Sequence, residues 1–221
     1  MPAIVFLIDI DNTLLDNDRV KAGMGSEILR LAGEDGSEQF WNLYEDVRKE
    51  LDYVDVPMTL ARFRQLRPDL RRFPQLSAML LGYPFENDLY PRALEVVEYL
   101  KGMGTVVVLS DGDPVFQPAK IGRIGVADAV DSNVLIYAHK EQHLDEVLSL
   151  YPADHYVLID DKPGILSRIK KVLGVRLTTV HVRQGKYAAA EEDPGAPADI
   201  TVGGIVEVLA LGEGELLGRR A

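Results

Sequence analysis

Three stretches of the chain are apolar without a polar break, and each stops at a side chain able to do chemistry. Ala3 to Ile8 runs into Asp9, Thr105-Val-Val-Val-Leu ends at Ser110, and His155-Tyr-Val-Leu-Ile ends at Asp160 and Asp161. Such a run, bounded by polar residues, is the pattern of a central parallel strand covered on both faces. Leu177 to Val182 and Asp199 to Val202, rich in Thr and Val, are shorter strand candidates. Helical patterns lie between them. Pro91 opens a helix over Arg92 to Lys101, with Leu94, Val97 and Leu100 at helical spacing and Gly102 placed to close it. Asp113-Pro114 is a candidate cap and first turn, Glu141 to Leu150 carries Leu144, Val147 and Leu148 on one face, and Pro163 to Leu173 ends at Gly174. Strands alternating with helices predict an α/β fold built on a doubly wound parallel sheet.

One segment breaks the alternation. From about Asp16 to Asn87 there is helical spacing without a convincing strand: Val20, Met24 and Ile28 recur by four, as do Phe40 and Tyr44, followed by Val47 and Leu51. We expect a helical cap over residues 16–87, inserted into a discontinuous core of residues 1–15 and 88–221. A total of 221 residues suits one core with a small satellite. Residues 188–198, AAAEEDPGAPA, read as a surface loop, and the last ten residues are expected to fray.

Composition narrows the chemistry. The chain has no cysteine, so thiolate zinc sites, iron–sulfur clusters and cysteine nucleophiles are excluded, and a metal would be held by oxygen or imidazole. A net charge of -11 argues against nucleic acid or anionic lipid as a partner. No apolar run approaches the roughly 20 residues of a membrane helix, and no secretory pattern opens the chain, so the expected location is the cytoplasm. Oligomeric state is not legible.

In a parallel sheet the carboxyl ends of the strands share one edge, so Asp9, Ser110, Asp160 and Asp161 are expected in a single crevice. Asp9 and Asp11 point the same way if the strand continues past Asp9. Carboxylates gathered in this way repel one another and stay ionised only when a cation joins them. Hard oxygen ligands, incomplete in number, suit Mg²⁺ that keeps waters and takes a phosphate oxygen from a substrate.

The stretch Asp9-Ile-Asp11-Asn-Thr13 resembles the DxDxT signature of the haloacid dehalogenase superfamily, made up largely of Mg²⁺-dependent phosphatases that form an aspartyl-phosphate. The other motifs follow in order: Leu-Ser110-Asp111-Gly112, Lys140 in AHKE, and Leu-Ile-Asp160-Asp161, with coverage from Ala3 to about Leu211. The resemblance implies that Asp9 is the nucleophile and Asp11 the general acid and then base. It implies a metal held by Asp9, the Asp11 backbone carbonyl and Asp161, with Asp160 either a ligand or the orienter of a metal-bound water. Ser110 would hydrogen-bond the phosphoryl oxygens and Lys140 offset their charge. Thr13, Asp111 and Gly112 fall with them at the phosphate end, the role of Asp111 open because relatives more often carry Asn-Gly there. Lys120 and Lys162 are alternatives to Lys140. True dehalogenases lack an acid two residues after the nucleophile, so Asp11 favours the phosphatase branch and a small phosphorylated metabolite as substrate. A phosphotransferase or mutase would use the same residues. A noncatalytic phosphorylation-dependent regulator is a rival of another class, but phosphorelay receivers are about half this length and lack the helical insertion.

Other features have plainer readings. Arg62, Arg64, Arg67, Arg71 and Arg72 read as a solvated or ion-paired face. His139, His143, His155 and His181 show no ligand spacing, and Phe40 and Trp41 read as cap core.

Overall fold

Burial explains the first strand. All five residues of β1 (Ile4–Ile8) are buried, and successive side chains point to opposite faces. Ile4, Phe6 and Ile8 enter one apolar cluster, Val5 and Leu7 another. The same division holds for β2 (Thr105–Asp111) and for β4 (His155–Asp160), whose Val157 and Ile159 face one way and Tyr156 and Leu158 the other. In this computed structural model, which describes residues 3–191 and 195–218, β3 (Val134–Tyr137), β5 (Leu177–Val182) and β6 (Ile200–Val202) complete the sheet. All pairings are parallel and the order is β3-β2-β1-β4-β5-β6, the doubly wound arrangement expected. The order reverses between β1 and β4, and the crevice beyond such a reversal is where open α/β sheets bind ligands.

Helices cover both faces. Between β1 and β2 run α1 (Asn17–Leu51), α2 (Val56–Leu66), α3 (Phe73–Leu81) and α4 (Ala93–Lys101); α5 (Phe116–Arg123) and α6 (Val126–Ala129) lead to β3. The opposite face carries α7 (Leu144–Leu150) and α8 (Pro163–Leu173), whose Leu144, Val147, Ile165, Leu166 and Ile169 pack with Leu7 and Leu158. The two spacings read in the N-terminal segment are the two halves of α1, interrupted at Gly33, where φ is 75° and ψ 179°. Side-chain acceptors start these helices: Asp16 receives the Arg19 N–H at 2.9 Å and Asp55 the Met58 N–H at 2.7 Å. Phe40 sits edge-on to Phe63 at 5.4 Å and to Trp41 at 5.6 Å, which gives α1 and α2 a shared aromatic core. The chain enters and leaves the helical segment side by side: Asp16 N–H donates to the Asp88 carbonyl at 2.8 Å and Tyr90 N–H to that of Leu14 at 2.9 Å.

Several expectations are corrected. Strand β3 has no counterpart in the sequence reading, because four half-buried residues at a sheet edge give little periodic signal. The helix expected from Glu141 begins at Leu144, after a 3-10 turn over Lys140–Gln142. Of the last ten residues, those described do not fray: α9 (Glu213–Leu216) buries Leu216, and Leu216 joins the core. The loop over 188–198 has no regular element in its described part, and residues 192–194 and 219–221 lie outside the described residues. Arg62 is bidentate on Glu50 at 2.7 and 2.9 Å, and Arg67 pairs with Asp69 at 3.3 Å, which accounts for two of the five cap arginines as surface ion pairs. Among the described residues no helix is long and apolar enough to cross a membrane.

Candidate active site

Register carries the acids to one point. Ile8 pairs with Ile159, and the Asp9 N–H reaches the Ile159 carbonyl at 3.0 Å, so Asp9 stands beside the tip of β4. Carboxylate oxygens of Asp9, Asp160 and Asp161 lie within 4.8 Å of one another, and all three residues are buried. Lys140 is fully buried between them: its Nζ is 2.6 Å from Asp9 Oδ1 and 2.6 Å from Asp160 Oδ2, and it also donates to the Leu109 carbonyl at 3.1 Å. The 3-10 turn that holds Lys140 is fixed by its own N–H, donated to Asp111 Oδ1 at 3.0 Å. Lys162, at the start of α8, reaches the other oxygen of Asp111 at 3.3 Å and gives its N–H to Asp160 Oδ1 at 2.8 Å.

Asp11 goes elsewhere. The strand ends at Ile8, and the N–H groups of Thr13, Leu14 and Leu15 turn back onto the Ile10 carbonyl at 2.9 to 3.2 Å. The Asp11 carboxylate therefore leaves the other three acids and meets α5, where Lys120 Nζ is 2.7 and 2.9 Å from its two oxygens and Gln117 Nε2 is 3.2 Å from Oδ2. The same Gln117 amide donates to Ser110 Oγ at 2.9 Å. Any Cβ at position 112 would come within 2.8 Å of the Gln117 side chain, so Gly112 makes room for this bridge. The Gly112 N–H is spent on the Tyr137 carbonyl at 2.9 Å and is not directed at a ligand. Thr13 is buried, with Oγ1 3.5 Å from Asp9 Oδ2.

These surroundings separate two carboxylates that are neighbours in sequence. Burial, reinforced by Asp160, pushes Asp9 up to about 6 against the pull of Lys140. Burial works against the charged form of Asp11 as well, but Lys120 overrides it and holds that carboxyl below the usual range. Asp161 is pushed up to about 9 by burial and then by Asp160 and Asp9. Burial lowers Lys140 and Lys162, and the surrounding acids more than reverse it, so both stay cationic.

Both oxygens of Asp161 are shut off from solvent and have no hydrogen-bond donor among the described residues, a costly state for a carboxyl unless a cation or a proton occupies it. With all of them ionised, the five carboxylates of Asp9, Asp11, Asp111, Asp160 and Asp161 face the three ammonium groups of Lys120, Lys140 and Lys162, and the excess of two negative charges matches one divalent ion. An all-oxygen donor set of this kind fits Mg²⁺. Above the cluster opens a cavity of about 1000 Å³, floored by Asp11, Asp111, Gly112, Asp161 and Lys162 and roofed by α1. Asp9, 1% exposed, lies just beneath that floor.

A protein from Burkholderia xenovorans LB400 described as a haloacid dehalogenase-like hydrolase is 45% identical to this chain, with a TM-score of 0.88 over 98% of this chain and 99% of that one. The chain belongs to the haloacid dehalogenase-like hydrolases. Two further members of that fold are more distant. An L-2-haloacid dehalogenase from Xanthobacter autotrophicus is 16% identical with a TM-score of 0.59, covering 96% of this chain and 98% of that one. A HAD-hydrolase from Bacillus subtilis bound to magnesium is 13% identical with a TM-score of 0.64, covering 95% and 98%. No protein-family model and no curated protein matches the chain.

Within this haloacid dehalogenase-like hydrolase the structure brings together Asp9, Lys140, Asp160 and Asp161, while Gln117 links Ser110 to Asp11. It does not bring the Asp11 carboxylate into that cluster, because the backbone turns at Ile10 where a continued strand was the premise. Gln117 went unread in the sequence, and Lys120 was read only as a substitute for Lys140. Their one signal is a polar pair three residues apart on an otherwise apolar helix face, both nearly fully buried.

Proposed function

We propose that this hydrolase cleaves small phosphomonoesters, using Mg²⁺ and an aspartyl-phosphate on Asp9. The observation that carries the reading is the buried, donorless carboxylate of Asp161 beside Asp9 and Asp160. Asp9 and Asp161 would hold the metal together with the Asp11 backbone carbonyl, and Asp160, committed to Lys140 and to the Lys162 N–H, would orient it. When bound, Mg²⁺ supplies positive charge to the phosphoryl oxygens and to the acids around it.

The side chains divide the rest. Lys140 holds Asp9 Oδ1 and leaves Oδ2 for in-line attack on phosphorus. The ester oxygen departs as the Asp9 oxygen–phosphorus bond forms, and takes a proton from Asp11. In the second step Asp11 removes a proton from water, the water oxygen attacks phosphorus, and inorganic phosphate leaves with Asp9 restored. Ser110, held by Gln117, donates to the phosphoryl oxygens. Lys120 and Gln117 position Asp11; the charge of the bound phosphate ester favours the protonated form that the first step needs, and Lys120 favours the carboxylate form that the water-activating step needs.

The test is phosphate release from a panel of phosphorylated metabolites. Asp9→Asn is expected to lose about a thousandfold or more in kcat, and a chelator to abolish turnover until Mg²⁺ is restored. Metal-independent release of halide from a 2-haloacid, with no phosphate release from any ester, would overturn the reading in favour of a dehalogenase.

A further inference from the structure

The cavity above the acids holds six cations, and four of them are committed. Lys120 pairs with Asp11, Lys162 with Asp111, Arg48 with Glu45 and Arg168 with Glu141. Lys21 and Lys186 have no acid within ion-pair distance among the described residues, although Asp52 and Glu191 border the same cavity. Each lies instead on an aromatic ring: Lys21 Nζ is 4.8 Å from the centre of Tyr44, and Lys186 Nζ 4.7 Å from that of Tyr187. Such stacking holds an ammonium in place and leaves its remaining N–H groups for another acceptor.

Tyr44 supplies a second observation. It is 6% exposed and lines the cavity, and its hydroxyl, which makes no hydrogen bond among the described residues, is not closed off from solvent. Burial, then Asp11, keep the phenol above its ordinary range while Lys186 opposes them, so it remains a neutral donor within electrostatic reach of both charges. From α1 the cavity is also lined by the apolar Val20, Met24, Phe40 and Trp41, beside the polar Asn17.

We propose that Lys21, Tyr44 and Lys186 form a subsite for a carboxylate on the leaving group of the substrate. This assignment rests on the phosphomonoesterase reading and names its substrate class: a phosphorylated hydroxy acid whose two anions are joined by an apolar span. A carboxylate fits better than a second phosphate. Phosphate sites favour arginine forks and helix N-termini, and the arginine at this end, Arg48, is held by Glu45.

The experiment uses the full chain with Mg²⁺ and a ladder of ω-phosphooxy alkanoates of three to six carbons, each beside the alkyl phosphate and the diol bisphosphate of equal length. For the best length, kcat/KM of the acid is expected to exceed that of the alkyl phosphate by about tenfold or more, the scale of one charge-assisted hydrogen bond. Lys21→Met and Lys186→Met are each expected to collapse that ratio. The ratio is taken within each variant, so a general loss of activity cancels. Trp41, the single tryptophan of the chain, lines the cavity, and its fluorescence in Asp9→Asn reads binding without turnover. Equal hydrolysis of acid and alkyl esters, or a preference for the bisphosphate, would overturn the carboxylate subsite and leave the phosphomonoesterase reading standing. Absence of all hydrolysis, with a Trp41 titration that prefers the acid and loses that preference in the lysine variants, would do the reverse. No preference in either assay overturns the subsite.

Discussion

Asp9 and Asp11 sit two residues apart and end in opposite electrostatic settings, since a turn at Ile10 sends one toward Lys140 and the other toward Lys120. Pairs of titratable groups pushed apart by their surroundings are how acid, base and nucleophile roles are divided at one pH. Lys120 makes this division testable. Lys120→Met removes the bidentate partner of Asp11 without touching the acid cluster, and the expected result is a drop in kcat of about 10- to 100-fold, the scale of a misplaced catalytic group, with a smaller change in KM. If Lys120 works through Asp11, the same substitution in an Asp11→Asn background has little further effect, whereas a purely structural lysine would give additive losses. Steady-state kinetics of the four proteins decides this. The motif residues were legible one by one because their types and order follow the strands; Gln117 and Lys120 were not, because nothing local marks a buried polar side chain on a helix.

Helix α1 shows how one element serves both packing and the site. Its two halves meet at Gly33 in a backbone conformation with φ 75° and ψ 179° that only glycine adopts readily. No atom of the described residues lies within 4 Å of a Cβ built there, so substitution costs backbone strain rather than a clash. Gly33→Ala is expected to destabilise the protein by about 1–3 kcal/mol, a fall in Tm of about 2–12 °C for a chain of this size. Thermal unfolding measures it, and an unchanged Tm would show that α1 can straighten without loss. At this scale the sequence was informative wherever an element was long or wholly buried: β1, β4, β5 and α8 fall within a residue of expectation. It was uninformative at β3, whose four apolar residues, all half-buried, are too short a run to tell a strand from a buried helix segment.

For the whole molecule, the concentration of buried acid couples stability to pH and metal. In the metal-free protein Asp161 lies near 9 and Asp9 near 6, both above the ordinary carboxyl value of 3.8. The folded chain thus binds more protons than the unfolded one between about pH 4 and 9, so stability is greatest at the acid end of that window and falls as pH rises through it. Mg²⁺ binds the ionised carboxylates and competes with those protons. The expected outcome is a metal-free Tm lower at pH 8.5 than at pH 5.5, and a larger rise with Mg²⁺ at pH 8.5. At a hundredfold excess over Kd the added stability is about 2.7 kcal/mol, roughly 5–10 °C; equal Tm at both pH values, with and without metal, would refute the coupling. The amino-acid sequence by itself determined the parallel sheet and the strands that end in acids, since apolar runs and their polar tips are properties of adjacent residues; Lys140 was legible only through the family resemblance, beside Lys120 and Lys162. Tertiary structure alone decided that Asp11 leaves the cluster for a lysine 109 residues away. It alone set Lys21 and Lys186 over one cavity without acid partners among the described residues. Those relations are distances across the fold, fixed by turns and helix packing that no local periodicity records.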